Sequence, residues 1–190
     1  KSNVWKVVYH KPEFRDPVRC ARSLKIKPHC ILPEYELSVW VDANFLICEN
    51  IDTFVSFMGE SANLLTFQHD QGRRCIYDEA TAVIDLEKDD PAIVRKQMEK
   101  YRSLKYPEKI GLTTTAVLVR RHNKEDQIAL SNLWWEQISQ FSRRDQLSFY
   151  FCKWSLGTKM YMLSYPNYNI RSNKWFRWLP HNYETQKWSF

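Results

Sequence analysis

Glycine is scarce in this chain of 190 residues: only four occur. They cannot build the glycine-rich turns that cradle phosphates in P-loop and dinucleotide-binding folds, so those cofactor classes are excluded. Long apolar runs are missing too. Nothing approaches the roughly 20 residues that a membrane helix needs, and no apolar signal segment follows Lys1-Ser2-Asn3. The five cysteines, Cys20, Cys30, Cys48, Cys75 and Cys152, are odd in number and never two residues apart, so they form no zinc clasp. They read as mostly buried thiols of a reducing compartment, and the expected location is cytoplasmic. The chain lacks an initiator Met, so the expectation is a single domain over 1–190 cut from a longer protein. Internal repeats and low-complexity segments are absent.

A content of 44% hydrophobic and 15% aromatic residues supports one real core. The formal charge of +6 points to an anionic partner. Nucleic acid is not expected, because the basic residues gather neither on one helix nor within an aromatic-interleaved sheet motif.

Strand and helix signals alternate. Val4 to Tyr9 has strand character, and Asp16-Pro17 opens a helix that Pro28 ends. The next run, Glu36 to Asn44, contains the strand-forming Val39-Trp40-Val41 and stops at an acid and an amide, Asp42 and Asn44. Asp52 reads as the cap of a short helix, Leu64 to Phe67 as a strand ending at Gln68-His69, and Asp70 to Ala80 as a loop dense in functional groups. A helix from Asp90-Pro91, a strand over Leu112 to Val119, a long helix from about Lys124, a helix over Leu147 to Leu156 capped by Gly157, and a strand at Met160 to Leu163 complete the pattern. Such alternation predicts a layered α/β domain with a mostly parallel sheet flanked by helices, whose ligands gather outside the carboxyl ends of the strands. Asp42, His69 and Arg121 stand at predicted ends of this kind.

Asp42 and Asn44 place two hard oxygen donors one residue apart, which suits Mn2+ or Mg2+ completed by phosphate oxygens; the same pair also suits a simple turn. Arg19, Arg22 and Lys25 recur every three residues and form a basic stripe, either a solvated face or a reach toward diphosphate, to which Lys187 adds another cation. A diphosphate leaving group requires such neutralisation. If transfer inverts configuration, a carboxylate must take the acceptor's proton, and Asp145 is the first candidate, with helix capping as its plainer role. Arg73, Arg74, Asp78 and Glu79 form either an acceptor wall or an ion-pair network.

The same residues carry a resemblance. Arg22-Ser23-Leu24-Lys25, Pro28-His29, Tyr35, Trp40-Val41-Asp42-Ala43-Asn44, His69 and Arg74-Cys75-Ile76-Tyr77-Asp78-Glu79-Ala80 occur in the order of the mucilage-type glycosyltransferases of plants and microbes. Gly111-Leu112, Arg120-Arg121-His122-Asn123, Trp134-Trp135-Glu136 and Ser142-Arg143-Arg144-Asp145-Gln146 extend the similarity. Within that family the pattern is most similar to the capsid-decorating enzymes of large algal viruses. The resemblance implies the A-type nucleotide-sugar fold, with Asp42-Ala43-Asn44 where an Asp-x-Asp metal motif stands. It departs at Asn44, whose neutral amide is the weaker metal ligand and suits ribose or sugar instead, and the strand usual before Trp5 is either absent from the protein or lies upstream of this sequence. The tail resembles the ending of glycogenin-like enzymes, which implies His181 as metal ligand and Lys187 at the diphosphate. His69, Arg74, Asp78, Arg121, His122 and Gln146 are implied to lie beside the acceptor or just behind the groups that touch it.

The expected function is a metal-dependent hexosyltransferase that moves glucose, or a deoxyhexose such as rhamnose, from a UDP-linked donor to a hydroxyl of a glycan or glycoprotein, with inversion. The rivals are a nucleotide-sugar hydrolase or nucleotidyltransferase, and a non-catalytic glycan-binding module favoured by eight tryptophans.

Overall fold

The computed structural model describes residues 6–69, 72–164 and 166–180. Asp16 accepts a hydrogen bond from the Val18 amide at 2.9 Å, and Pro17 opens helix α1 (Pro17–Ile26). Pro28 forces a break and restarts the chain as the single turn α2 (Pro28–Ile31). Strand β1 (Ser38–Val41) leads through a tight turn into β2 (Phe45–Ile47). Helix α3 (Ile51–Val55) is capped by Asn50, which accepts from the Asp52 amide, so the cap lies two residues before the expected Asp52. A 3-10 turn (Ser56–Met58) precedes β3 (Leu64–Gln68). Helices α4 (Ile76–Asp85) and α5 (Pro91–Ser103) follow, then β4 (Thr113–Arg120), α6 (Glu125–Gln140), α7 (Gln146–Leu156), β5 (Tyr161–Leu163) and β6 (Phe176–Trp178). Residues 6–9 join no sheet, and the segment expected to be a loop over 70–80 contains the start of α4.

The four-stranded sheet has the order β1-β4-β3-β5, and β2 and β6 form a separate antiparallel pair. The α/β class is as expected, but the pairing is mixed: β4 is antiparallel to both neighbours, and only β3 with β5 is parallel. Strands β1, β3 and β5 still point the same way, so their carboxyl ends share one edge with the beginning of β4. The reversal of β4 has a direct consequence: its far end, with Arg121 and His122, lies at the opposite edge.

Alternation along the strands feeds two cores. Leu64 and Leu118 join α4, α5, α6 and α7 on one face, around Tyr101, Trp134 and Phe149. Leu65, Phe67, Val117 and Val119 turn to the other face, against Phe54, Trp175 and Phe176. This is the period of two that a sheet covered on both faces requires. The register slips where Thr66 opposes Leu118 and Phe67 opposes Thr114, so β4 bulges over 115–117. The Thr66 hydroxyl spans the irregularity, lying 2.8 Å from both the Thr114 and Val117 carbonyls, which share its one proton. Two of the five cysteines, Cys75 and Cys152, are buried, rather than most of them; all five are free thiols.

Gly111 enters β4 with φ +120°, and a Cβ there would lie 2.6 Å from the Tyr150 hydroxyl. Both backbone and space demand glycine at this point. Gly111→Ala is expected to lower stability by about 1–3 kcal/mol in urea unfolding; an unchanged midpoint would mean that helix α7 moves aside without cost.

Candidate active site

Asp42 follows the half-buried end of β1 and begins a turn closed by the Phe45 amide donating to the Asp42 carbonyl at 3.0 Å. The Asp42 amide donates to Ala116 O in the β4 bulge at 2.8 Å, and the Leu179 amide donates to Asn44 O, also at 2.8 Å. Backbone bonds therefore hold the turn from both sides, and the Asp42 carboxylate is not spent on closing it. One of its oxygens, Oδ1, accepts from Trp40 Nε1 at 2.7 Å and from Lys25 Nζ at 3.3 Å. The other has no bonded partner among the described residues.

Lys25 is fully buried, and its ammonium also meets Asp145 Oδ2 at 2.6 Å. Arg22 approaches Asp145 Oδ1 at 3.3 Å, and the Thr115 hydroxyl donates to Oδ2 at 2.9 Å. The bulge supplies Thr115, since the slipped register turns it toward α7. Asp145 stands at the start of α7 but makes no capping bond through its side chain. It is 3% exposed. Burial alone would raise its carboxyl, but Lys25 and then Arg22 overcome this and hold it well below the usual carboxylate range.

The turn and this buried charge cluster border a cleft of about 660 Å³. Asp42, Ala43, Asn44 and Phe45 line one end, together with Arg22 and Trp40. The far wall carries His69, Arg73, Glu79, Lys88, Arg144 and Gln146, and Ile170, Arg171 and Trp178 form a side. Glu79 is buried and engaged by Arg73 Nε at 2.6 Å, with His69 Nε2 at 3.8 Å. The Arg171 guanidinium lies 4.7 Å from the Trp178 ring centroid, a cation–π contact that presents the ring as part of the wall. Gln146 is fixed by donating to Thr113 O at 3.1 Å.

The structure thus brings Asp42, Asn44, Arg22, His69 and Gln146 to one cleft and places Lys25 and Asp145 immediately behind it. Arg19 is elsewhere: it pairs with Asp16 and donates to the Ile138 and Phe141 carbonyls, satisfying the end of α6. Arg121 donates to the Ala62 and Gly59 carbonyls, and His122 Nε2 contacts Leu32 O, both at the opposite sheet edge. The reversed β4 takes them there, which corrects the reading of Arg121 as a strand-end neighbour of Asp42. Arg74 lines a smaller adjoining hollow of about 210 Å³ that shares His69 and Arg73 with the cleft, while Asp78 accepts from the Arg74 amide on the surface. His181 and Lys187 lie outside the described residues. Lys88, Arg144, Arg171 and Trp178 were not among the residues expected from sequence. Arg144, next to Asp145 in a quoted motif, was the nearest signal; Lys88, in the break after α4, gave none.

Among the described residues no three His, Cys, Asp or Glu side chains converge as a metal cage. Asp42 offers one unbonded hard oxygen on the cleft, which fits a divalent cation as a single ligand with phosphate oxygens as the remainder. The Lys25 ammonium on its other oxygen already neutralises part of that charge.

Pairing in the Lys25–Asp145–Arg22 cluster stabilises the fold fully above the unfolded carboxyl value of about pH 3.9. It is lost as pH falls toward the depressed folded-state value. Asp145→Asn is expected to cost roughly 3–5 kcal/mol at pH 7, because the buried Lys25 and the half-buried Arg22 lose their shared partner. The difference from the native chain should narrow below about pH 4; a gap of unchanged size at pH 3 in urea titrations would assign the cost to packing instead of charge.

No curated protein and no solved structure matches the chain. The family model described as TOD1/MUCI70, glycosyltransferase-like domain, matches residues 1–173. That span contains β1 and its acidic turn, the bulged β4, Lys25 and Arg22, and the arginines of the far wall, so the whole described charge cluster falls within the matched region. The chain belongs to the TOD1/MUCI70, glycosyltransferase-like domain family.

Proposed function

We propose that the chain transfers a hexose, glucose or a deoxyhexose such as rhamnose, from a nucleoside diphosphate, UDP first, to a hydroxyl of a glycan or glycoprotein. The observation that carries this reading is the Asp42-Ala43-Asn44 turn opening onto a cleft lined by five cationic side chains, Arg22, Arg73, Lys88, Arg144 and Arg171, against the two acids Asp42 and Glu79. Family membership supports sugar transfer in general; the donor, the metal and inversion are our reading. A neutral glycan module has little use for such a field, whereas a departing diphosphate needs it.

Asp42 anchors the donor end, with Trp40 and Lys25 fixing its carboxylate so that it is already oriented when the donor arrives. Mn2+ or Mg2+, bound there, would supply Lewis-acid neutralisation of the diphosphate. Arg22 faces the same end and adds a fixed guanidinium. Asn44, held through its backbone by Leu179, presents its amide toward ribose or sugar. Asp145 receives a different role from the proton acceptor expected on sequence: buried, held ionised and bound by Lys25, Arg22 and Thr115, it positions the two cations. His69 and Glu79 on the far wall are the remaining groups of the cleft able to hold a proton near an acceptor hydroxyl.

Turnover of a panel of nucleoside diphosphate sugars should depend on Mn2+ or Mg2+ and rise when a glycan acceptor is added. Hydrolysis indifferent to every acceptor would favour the hydrolase rival. Asp42→Ala should lower kcat by about 100-fold or more and abolish the metal response, with the fold intact by circular dichroism; full activity in that variant removes the metal corner. His69→Gln should lower transfer far more than donor hydrolysis if it serves the acceptor, and equal losses would place it with the donor.

A further inference from the structure

Arg120, the last residue of β4, is a buried cation that meets no anion. In the antiparallel register it lies directly opposite Ser38, the first residue of β1, so the two side chains stand side by side on one face of the sheet. Arg120 is 3% exposed, and Nη2 donates to the Lys25 carbonyl at 2.6 Å. Its Nε has no partner, the buried Ser38 Oγ has none either, and among the described residues no carboxylate lies within ion-pair distance of the guanidinium. Burial alone lowers Arg120 to about 9, so it is still charged at neutral pH. Nearby bases add to the imbalance: His29 is held below its usual value by burial and then by His122, Lys27 and Arg120. Buried charges are ordinarily paired; this one has a neutral carbonyl, and at so little exposure solvent does not take the anion's place. Arg120 and Ser38 both line a pocket of about 220 Å³ whose other walls are mainly apolar, Leu24, Pro28, Leu32 and Val39 among them. It shares Trp40 with the catalytic cleft and none of the cleft's charged residues. At its rim His10 lies 3.5 Å from Glu13, an exposed acid that does not reach Arg120.

We propose that this pocket is a binding site for a small monocarboxylate with an apolar body, the carboxylate taken by the Arg120 guanidinium and the Ser38 hydroxyl and the body by the aliphatic walls. The site is separate from the cleft and does not depend on the transferase reading. A guanidinium is matched to a carboxylate in charge and in shape. Phosphate would bring further oxygens and a second charge, for which the apolar walls supply no donors. At about 220 Å³ the pocket is smaller than the roughly 300–1,000 Å³ that drug-sized ligands occupy. The body is therefore a short chain or a single ring.

The test titrates the whole chain with hexanoate, phenylacetate, the two corresponding amides and inorganic phosphate, read by calorimetry and by amide chemical-shift mapping. At least one acid should bind about tenfold more tightly than its amide, with the shifted signals gathered around Leu24, Ser38 and Arg120. Arg120→Gln should erase that preference. Ser38→Ala, a milder change that leaves the bond from Arg120 to Lys25 in place, should weaken the acid by about threefold to tenfold, with thermal unfolding checking that both variants are folded. Should Arg120→Gln fail to fold, the shift map of the native chain and the Ser38→Ala affinities decide. Failure of both acids to bind overturns the site, and so does equal affinity for acid and amide. Shifts centred on Arg22 and Asp42 would move the acids into the cleft and also overturn it, as would an acid preference that survives in folded Arg120→Gln. Phosphate binding at Arg120 more tightly than either acid would overturn the carboxylate assignment.

Discussion

The ammonium of Lys25 is the interaction on which the site depends. A fully buried lysine is tolerated only when paired, and this one has two carboxylates, Asp42 at the end of β1 and Asp145 at the start of α7. Its backbone carbonyl is gripped by the buried Arg120 of β4 at 2.6 Å. One residue of α1 therefore ties together strand β1, strand β4 and helix α7. The acidic turn cannot shift without exposing or orphaning a buried charge, so the cluster gives the cleft a rigid corner. Rigidity of this kind is what electrostatic catalysis needs, because a charge already fixed in place costs no reorganisation when the reaction demands it.

The bulge in β4 and the direction of that strand complete the corner. A regular β4 would carry Thr115 in register with its partner strands, whereas the slip turns the Thr115 hydroxyl to Asp145 and leaves the Ala116 carbonyl to receive the Asp42 amide. Two adjacent residues of one irregularity thus fix the two carboxylates that hold Lys25. The reversal of β4 has a second effect. It keeps the carboxyl ends of β1, β3 and β5 together at one sheet edge and removes Arg121 and His122 to the other, where they bind loop carbonyls.

Much of this was legible in sequence. Asp16-Pro17, Asp90-Pro91 and Gly157 marked helix ends through local chemistry, and Val39-Trp40-Val41 followed by Asp42 marked a strand with a polar end, half-buried instead of buried. The recurrence of Arg19, Arg22 and Lys25 also carried meaning, yet its interpretation needed three dimensions: the stripe is neither solvated nor aimed as a unit at one ligand. Arg19 closes the end of α6, Arg22 reaches the cleft, and Lys25 goes inward. Strand direction was hidden because a run such as Thr113 to Arg120 has the same pattern in either orientation. The short β2 and β6 were not read as strands, and Trp178 went unnoticed with them. Lys88 and Arg144 lie more than fifty positions apart, on turns that only the packing of α4 and α7 brings to one wall.

The division of the cleft follows from how each cation is held. Arg22 and Lys25 are held by the buried Asp145, and Lys25 also by Asp42, so their positions are set before any ligand arrives. Lys88 and Arg144 line the same cleft with no carboxylate in ion-pair distance among the described residues. On the transfer reading proposed above, charge fixed in advance is what a departing diphosphate needs. The pairing also makes Asp145 poorly suited to proton transfer: a carboxylate that holds two cations in place would release them on accepting a proton, and the acidic turn would lose its anchor.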